Sequence, residues 1–341
     1  MGTAALRGAL GDGARLGRRY RAGGGDLPFG DPGAAHGTPF EGYFWRIVHP
    51  ASGAVVIALS AVCDGPQGAW GMSTLAAHPG GFARTEITRT AWADPRAFGV
   101  RAGSVLRGDA AVITVDLGSE ARLDVSLHDV VRWPASRVFG ALGLAHAITG
   151  LPQYWQPVAL SAGVRGRVSA GELALDLDGA VAYAEKNWGH GFPGRWWWGH
   201  AATFEDRDVS VSFAGGRVRL ARAEVAPTAV VVRLGDRVIA LAPPLARTRV
   251  ALGEGAWRLR TRGRGFSVEI DGDADGGTPH ELLVPVPGQL RGELRSRQHL
   301  AASLALRIRR GRRLLYDGRS PLAGLEVELP LSDPPHAARR A

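Results

Sequence analysis

The sequence contains many short runs in which apolar and polar residues alternate, and Gly, Pro and Asp break these runs repeatedly. Helix periodicity is almost absent, and residues 136–149 are the one candidate for a helix or a long loop. A period of two sends successive side chains to opposite faces of a strand. The pattern therefore predicts antiparallel sheets or barrels. Its clearest examples are residues 110–117, 121–127, 209–213, 228–234, 266–270 and 303–308.

Length and Gly content narrow this prediction. The chain has 341 residues, of which 48 are Gly. This length exceeds that of one ordinary sandwich and suits two domains with cores of their own. Gly lets barrel strands bend and lets a ligand approach the backbone closely. We predict an all-β fold of two consecutive lipocalin-like antiparallel barrels or half-barrels packed together, each wide enough to hold one small ligand.

The alternating pattern restarts after a Gly- and Pro-rich break at residues 189–194, which predicts a domain boundary near residue 190. The N-terminal lipocalin-like domain would then span residues 36–190, and the C-terminal one residues 191–332. Residues 1–35 hold five Arg and no continuous apolar core, so we expect a disordered basic tail there, with a transit peptide as the alternative. Residues 333–341 are expected to form a second tail.

The net charge of +9 does not indicate a nucleic-acid-binding protein, because the Arg residues are spread along the chain instead of forming one basic face. Basic charge near a leaflet contributes about 1 kcal/mol per residue, so peripheral contact with a membrane is compatible with this composition. No apolar stretch reaches the ~20 residues of a membrane-spanning helix. We expect a cytoplasmic protein that can lie peripheral to a membrane, and we make no prediction of its oligomeric state.

Cysteine and histidine content argues against a metal centre. The one Cys, Cys63, leaves no partner for a disulfide within the chain and none for a Cys-based zinc site. The ten His show no spacing typical of metal ligands. Neither a P-loop nor a dinucleotide fingerprint occurs. We therefore expect no metal and no cofactor.

Aromatic residues concentrate in three stretches that also hold isolated acids. The sequences of these stretches are PFEGYFWR at 39–46, LPQYWQP at 151–157 and AYAEKNWGHGFPGRWWW at 182–198. The only Lys and the only Asn of the chain, Lys186 and Asn187, are neighbours in the third stretch. In a chain this poor in both residue types, the pair indicates a position that needs them.

The three stretches resemble, in the same order, the signature blocks of the tocopherol cyclase family. Residues 40–44 resemble its first block with the usual Trp-Tyr order altered, residues 154–157 its central block, and residues 183–198 its longest block. Residues 277–279 and 317–327 are weaker matches. The resemblance implies two lipocalin-like halves related to bacterial carotenoid hydratases. It also implies cyclisation of a phytyl- or prenyl-quinol to a chromanol, with a hydrophobic prenylated aromatic small molecule as the partner.

Such a cyclisation requires an acid that stays protonated in a dry pocket, since a proton must reach an alkene. Alternation in a strand over residues 181–188 puts Tyr183, Glu185 and Asn187 on one face. We predict Glu185 as proton donor, with Asn187 or Tyr183 orienting the phenol. Lys186 is a further candidate that could share the cavity only if the strand bulges. Glu41 is the second choice of acid.

Aromatic faces stabilise a developing carbocation by roughly 2 kcal/mol or more when water is excluded. The rings near the candidate acids are therefore predicted to bind substrate. They are Tyr43, Tyr154, Trp155, Trp188, Phe192, Trp196 and Trp198.

Each prediction has an alternative. Glu185 and Lys186 could form structural ion pairs at the seam between the halves, and Glu41 could pair with Arg46. The Trp residues could pack a core. The protein could also be a prenyl-lipid carrier without catalysis, or a hydratase in which water captures the cation.

Overall fold

The computed structural model describes residues 15, 18–19, 38–94, 97–134, 139–148, 151–206, 208–220, 223–274 and 277–329. The predicted tails at 1–35 and 333–341 lie outside the described residues, except for residues 15, 18 and 19.

Between residues 38 and 329 the described chain forms 23 strands in two sheets and one short 3-10 helix, Gly143–Ala147, within the predicted helix or loop. The first sheet holds β1 (Phe40–His49), β2 (Ala54–Cys63), β3 (Trp70–His78), β4 (Phe82–Thr88), β5 (Ala91–Ala93), β6 (Gly99–Ala102), β7 (Leu106–Asp109), β8 (Val112–Asp116), β9 (Ala121–Arg132), β10 (Gln153–Ala170), β11 (Leu173–Asp176) and β12 (Val181–Gly189). The second holds β13 (Gly194–Ala201), β14 (Val209–Leu220), β15 (Ala223–Val225), β16 (Thr228–Leu234), β17 (Arg237–Leu241), β18 (Ala246–Gly253), β19 (Ala256–Gly263), β20 (Phe266–Asp273), β21 (His280–Val286), β22 (Arg291–Arg310) and β23 (Arg313–Glu328). The all-β prediction is confirmed.

Both sheets are antiparallel and curl toward closure. In the first, β12 is inserted between β1 and β10, so the order is β4-β3-β2-β1-β12-β10-β9-β8-β7-β6-β5. In the second, β13 lies between β14 and β23. The ends of the second sheet approach each other where the Thr248 hydroxyl on β18 donates to the Thr228 carbonyl on β16. The chain passes from the first sheet to the second between Gly189 and Gly194.

The central strands of the first sheet are buried on both faces. Tyr43, Trp45 and Ile47 of β1 point into the core of the first sheet. Phe44 and Val48, on the opposite face, pack with residues of the second sheet. Because both faces are covered, the residues of β1 to β3 are almost all buried. In β9, by contrast, residues 121–127 alternate between buried and exposed.

Side chains fill the interior of the first barrel-like sheet. The Trp45 indole, fully buried, reaches across it and donates its Nε1–H to the Asp109 carbonyl at 3.2 Å. Gly108 provides the space for this ring, since a Cβ there would lie 2.5 Å from Trp45. The lumen of the first barrel-like sheet is therefore a packed core.

Arg46 joins the two sheets. Its side chain is fully buried, and its Nη2 donates to the carbonyls of Leu300 and Leu322 in the second sheet, both at 2.8 Å. Burial lowers the pKa of Arg46 to about 9. The alternative pairing of Glu41 with Arg46 is wrong, because residues five apart on a strand face opposite ways.

No helix within the described ranges has the length and apolar character needed to cross a bilayer.

Replacing Gly108 by Ala tests the packed lumen. The new methyl group would collide with the Trp45 ring, so we expect Gly108→Ala to lower the free energy of unfolding by about 1–3 kcal/mol. Gly194→Ala is the matched control, because a Cβ there meets nothing within 4 Å. Urea denaturation of both variants measures the difference, and equal midpoints would contradict a filled barrel.

Candidate active site

A cavity lies between the two sheets. Its walls come from β1, β2, β3, β10 and β12 of the first sheet and from β13, β14, β16, β21, β22 and β23 of the second. Leu142 and Ala145, on the connection that carries the 3-10 helix, complete it. Most of the lining is apolar, and a few polar side chains interrupt it. A mainly apolar cavity with a few convergent polar groups is typical of small-molecule sites.

Three donors converge on one oxygen of Glu185. Its Oε2 accepts hydrogen bonds from the Tyr183 hydroxyl at 2.6 Å, from Trp155 Nε1 at 2.7 Å and from Trp198 Nε1 at 2.9 Å. Tyr183 and Trp155 belong to the first sheet and Trp198 to the second, so the carboxyl sits at the seam. The side chain is 4% exposed and lines the cavity.

Burial controls the protonation of Glu185. Desolvation disfavours the charged carboxylate and raises the pKa of Glu185 to about 7, although the three hydrogen bonds act in the opposite direction. The negative charge of Glu326 raises this pKa further. A carboxyl that titrates near neutrality can act as an acid at physiological pH.

A buried layer supports the acid. The Tyr183 ring stacks on His200, with centroids 4.0 Å apart. Burial, and then the Glu185 charge, raise the pKa of Tyr183 well above its ordinary value, so the phenol remains a donor. Burial and the charge of Arg46 lower the pKa of His200 well below its ordinary value, which keeps the imidazole neutral.

The structure brings together several of the predicted residues. Asn187 lines the cavity beside Glu185, and Trp155, Phe192, Trp196 and Trp198 line it as well. That these rings bind substrate stays a prediction. Tyr43 contributes to the wall from β1, although its ring packs against Trp45 and Phe98 in the core of the first sheet.

Lys186 and Glu41 lie away from the cavity. Their side chains form an ion pair at 2.5 Å on the other face of β12 and β1, and the Tyr43 hydroxyl donates to the same Glu41 oxygen at 3.1 Å. Burial lowers the pKa of Lys186, and Glu41 counteracts this effect. As expected for a strand without a bulge, Lys186 does not share the cavity with Glu185. The structure does not place Lys186 or Glu41 among the lining residues, and a catalytic role for either stays a prediction.

Tyr154 and Trp188 are also outside the cavity lining. Their rings stack on each other, 5.6 Å apart, and both stack on His146 of the 3-10 helix. The Tyr154 hydroxyl donates to the Ile148 carbonyl at 2.5 Å. The structure does not place these rings at the cavity, and their prediction as substrate-binding residues stays untested. They fasten the connection that forms one wall of the cavity.

A second carboxyl in the cavity was not predicted. Glu326 of β23 lines the wall of the second sheet, where its Oε1 accepts from Trp196 Nε1 at 2.9 Å and from the Ser296 hydroxyl at 2.8 Å. Burial raises the pKa of Glu326. The one signal in the sequence was its position inside the weak match at residues 317–327.

Comparison with known families identifies one match. Residues 108–329 match the model of a family described as tocopherol cyclase-like. The match includes Glu185, Glu326 and the whole segment 183–198.

Two plant proteins are similar in sequence. The chain is 25% identical over 166 residues to the chloroplastic tocopherol cyclase of Zea mays, and 24% identical over 159 residues to a protein of Oryza sativa subsp. japonica named probable tocopherol cyclase, chloroplastic. These alignments cover 46% and 44% of this chain. They span only 35% and 34% of the two relatives, about a third of their length.

Two solved structures share the fold. A crystal structure of an AttH-type protein from Nitrosomonas europaea has a TM-score of 0.52 at 13% identity, covering 88% of this chain and 96% of that one. Kievitone hydratase from Nectria haematococca has a TM-score of 0.50 at 10% identity, covering 89% and 94%. At such low identity the likeness establishes the two-sheet architecture alone.

The buried acid predicts a pH-dependent stability difference between the wild type and Glu185→Gln. Because the folded state raises the pKa of Glu185 from 4.5 to about 7, its contribution to stability is fully present below pH 4.5. It is lost as the pH rises through 7, by on the order of 3 kcal/mol in total. Urea unfolding across pH 4 to about 9 measures this. If the free energy of unfolding depended on pH in the same way in both proteins, that result would contradict a raised pKa of Glu185.

Proposed function

The chain belongs to the tocopherol cyclase-like family, and from that premise we propose that it is an enzyme closing a chromanol ring in a prenylated aromatic quinol. The observation that carries the proposal is a carboxyl, Glu185, enclosed in an apolar cavity with a pKa raised to about 7. The two plant relatives are named as a tocopherol cyclase and a probable tocopherol cyclase. Since the chain aligns with only a third of their length, their reaction is transferred here as a proposal.

The proposed reaction is an isomerisation. A proton adds to a trisubstituted double bond of the tail, positive charge develops on the tertiary carbon, and the phenol oxygen attacks that carbon. The phenol proton then leaves, so the product has the same atoms as the substrate. The chain must supply an acid, a dry environment and a fixed arrangement of tail and ring.

Glu185 is proposed as the acid. All three of its hydrogen bonds fall on Oε2, which leaves Oε1 as the oxygen that carries the proton toward the cavity. Its raised pKa keeps a protonated fraction near neutral pH, as proton transfer to an alkene requires. A carboxyl in open solvent would be almost fully ionised at that pH.

Trp155 and Trp198 are proposed to stabilise the cation. Their indole N–H groups are bonded to the acid itself, so both rings are held next to the point from which the proton departs. An aromatic face stabilises positive charge by about 2 kcal/mol or more in a desolvated site. Neither ring has to reorganise as the charge forms.

The position of the cavity between the sheets suits a long apolar tail. Met72 of the first sheet, Leu283 of the second and Phe192 on the connection between the sheets all contribute apolar side chains to the lining. A tail confined among such side chains loses its freedom on binding, before the chemical step. Prior orientation of reacting groups lowers a barrier by up to ~7–11 kcal/mol in favourable cases.

Glu185→Gln tests the proposed acid. Incubation of the purified full chain with methyl-phytyl-benzoquinol, under anaerobic reducing conditions, should yield a chromanol of unchanged mass. Glu185→Gln should lower turnover about 10²-fold or more while retaining affinity for the quinol. Glu269→Gln, which removes a carboxyl on the outer face of β20, is the control and should cyclise normally.

Two other outcomes correspond to the alternative functions. Bound quinol recovered unchanged from the wild type, across several tail lengths, would identify a carrier and contradict the cyclase. A product heavier by one water would identify a hydratase, the activity in the name of the Nectria haematococca protein with the same fold.

Trp155→Phe tests how the acid is tuned. Turnover should fall as the pH rises past about 7, because Glu185 then loses the proton it donates. Removing the Trp155 donor destabilises the carboxylate and raises the pKa of Glu185 further. The pH at which turnover falls to half should therefore move up by about one pH unit. Trp92→Phe, an exposed ring on β5, is the control. If Trp155→Phe leaves the pH of half-maximal turnover unchanged, a group other than Glu185 controls the loss of activity at high pH.

A further inference from the structure

The cavity has a second polar end, formed by the second sheet. Glu326 lies there, held by Trp196 Nε1 and the Ser296 hydroxyl, both on Oε1. Proton donation by Glu185 makes no use of this group. Its negative charge nevertheless raises the pKa of Glu185, so the two carboxyls lie within electrostatic reach of each other.

Gln298 completes this polar end. It is directly opposite Glu326 in the register of β22 and β23, and it lies on the same face of β22 as Ser296. Residues opposite each other on neighbouring strands have Cβ atoms about 4.5–5.5 Å apart. Gln298 lines the cavity with an exposure of 1%. Its Nε2 finds no hydrogen-bond partner in the part of the chain that the structure describes.

An amide N–H left unpaired in a buried position costs roughly 1–3 kcal/mol. A ligand that accepts a hydrogen bond from it would remove that cost. Next to it, Glu326 Oε2 is available as an acceptor, since both bonds from the protein fall on Oε1. One N–H donor beside one carboxylate acceptor matches a hydroxyl group, which can accept from the first and donate to the second.

We propose that Glu326 and Gln298 bind the ring-closing phenol hydroxyl of the substrate, and that Glu326 accepts its proton. This inference rests on the proposed cyclase function and assigns the other half of the proton transfer. Glu185 and Glu326 would then divide the acid and base roles between the two sheets.

The step balances without a further reactant. Glu185 gives its proton to the alkene as a C–H bond forms, the phenol oxygen forms a C–O bond, and the phenol O–H bond breaks toward Glu326. The protein is left with a proton moved from Glu185 to Glu326. Exchange with solvent when the product leaves restores the starting state. Nothing is oxidised or reduced.

A binding experiment tests the hydroxyl site separately from turnover. In a Glu185→Gln background, which cannot donate the proton, calorimetry compares methyl-phytyl-benzoquinol with its ether methylated at the ring-closing hydroxyl. We expect the free hydroxyl to bind about tenfold more tightly, and we expect Glu326→Gln or Gln298→Leu to abolish most of this preference. Glu281→Gln, a surface carboxyl paired with Arg297, should retain it.

Turnover gives the second readout. With Glu185 intact, Glu326→Gln should lower kcat about 10²-fold and remove the decline of activity toward low pH that protonation of a base produces. Gln keeps an oxygen that can accept from Trp196, so a merely structural role for Glu326 would leave kcat, the pH profile and the hydroxyl preference unchanged. That result would overturn the inference and leave the cyclase proposal intact.

The two proposals fail in different ways. A wild type that forms no chromanol from any quinol refutes the cyclase function. The binding comparison still decides on the hydroxyl site in that case, because it needs no turnover. Retained preference in both Glu326→Gln and Gln298→Leu refutes the site, whereas loss in both supports it. Thermal unfolding of each variant checks that it is folded.

Discussion

Strand β12 lies between two apolar layers, and every ionisable group on it must find its compensation inside the protein. One face turns toward the core of the first sheet, where Lys186 is paired with Glu41. The other turns toward the second sheet, where Glu185 meets three neutral donors and no basic partner is bonded to it among the described residues. A charge without an opposite charge is costly in such a place, so the carboxyl holds its proton. The pKa of Glu185 is raised because this buried carboxyl, unlike the adjacent Lys186, has no oppositely charged partner bonded to it in the described part of the chain.

Strand alternation explains why the three consecutive Trp residues of β13 have different surroundings. Trp196 and Trp198 face the cavity side, and each donates its indole N–H to a different carboxyl, Glu326 and Glu185. Trp197 belongs to the core of the second sheet and donates to the Thr228 hydroxyl at 3.2 Å. Each indole thus contributes apolar area and one directed donor. A Phe at 196 or 198 would fill similar space and leave a buried carboxylate oxygen with one donor fewer.

Local patterning accounts for the parts of the structure that could be predicted. Alternation placed Tyr183, Glu185 and Asn187 on one face, and the structure keeps Glu185 and Asn187 at the cavity. Tyr154 and Trp188 were grouped with the site because they lie near it in the sequence, although alternation put Trp188 on the other face. The location of the cavity was not predictable from strand pattern, since it depends on which faces of two sheets meet.

Glu326 shows the limit of local reasoning more clearly. It stands 141 positions after Glu185 in the sequence, on a strand whose neighbours are ordinary apolar residues. Only the insertion of β13 beside β23 brings Trp196 within bonding distance of it. The groups that identify this carboxyl are close in space and distant in sequence: an indole of β13 and a hydroxyl and an amide of β22 surround it.

The Trp198–Glu185 hydrogen bond and the Arg46 bridge both cross from one sheet to the other. Neither half of the chain therefore holds a complete candidate active site, and the two halves cannot be exchanged as independent modules. A chimera built from halves of two distant homologues would inherit an acid from one parent and its indole donor from the other. Lineages of such proteins are accordingly expected to diversify by coordinated change on both sides of the seam, with recombination at the Gly189–Gly194 junction selected against.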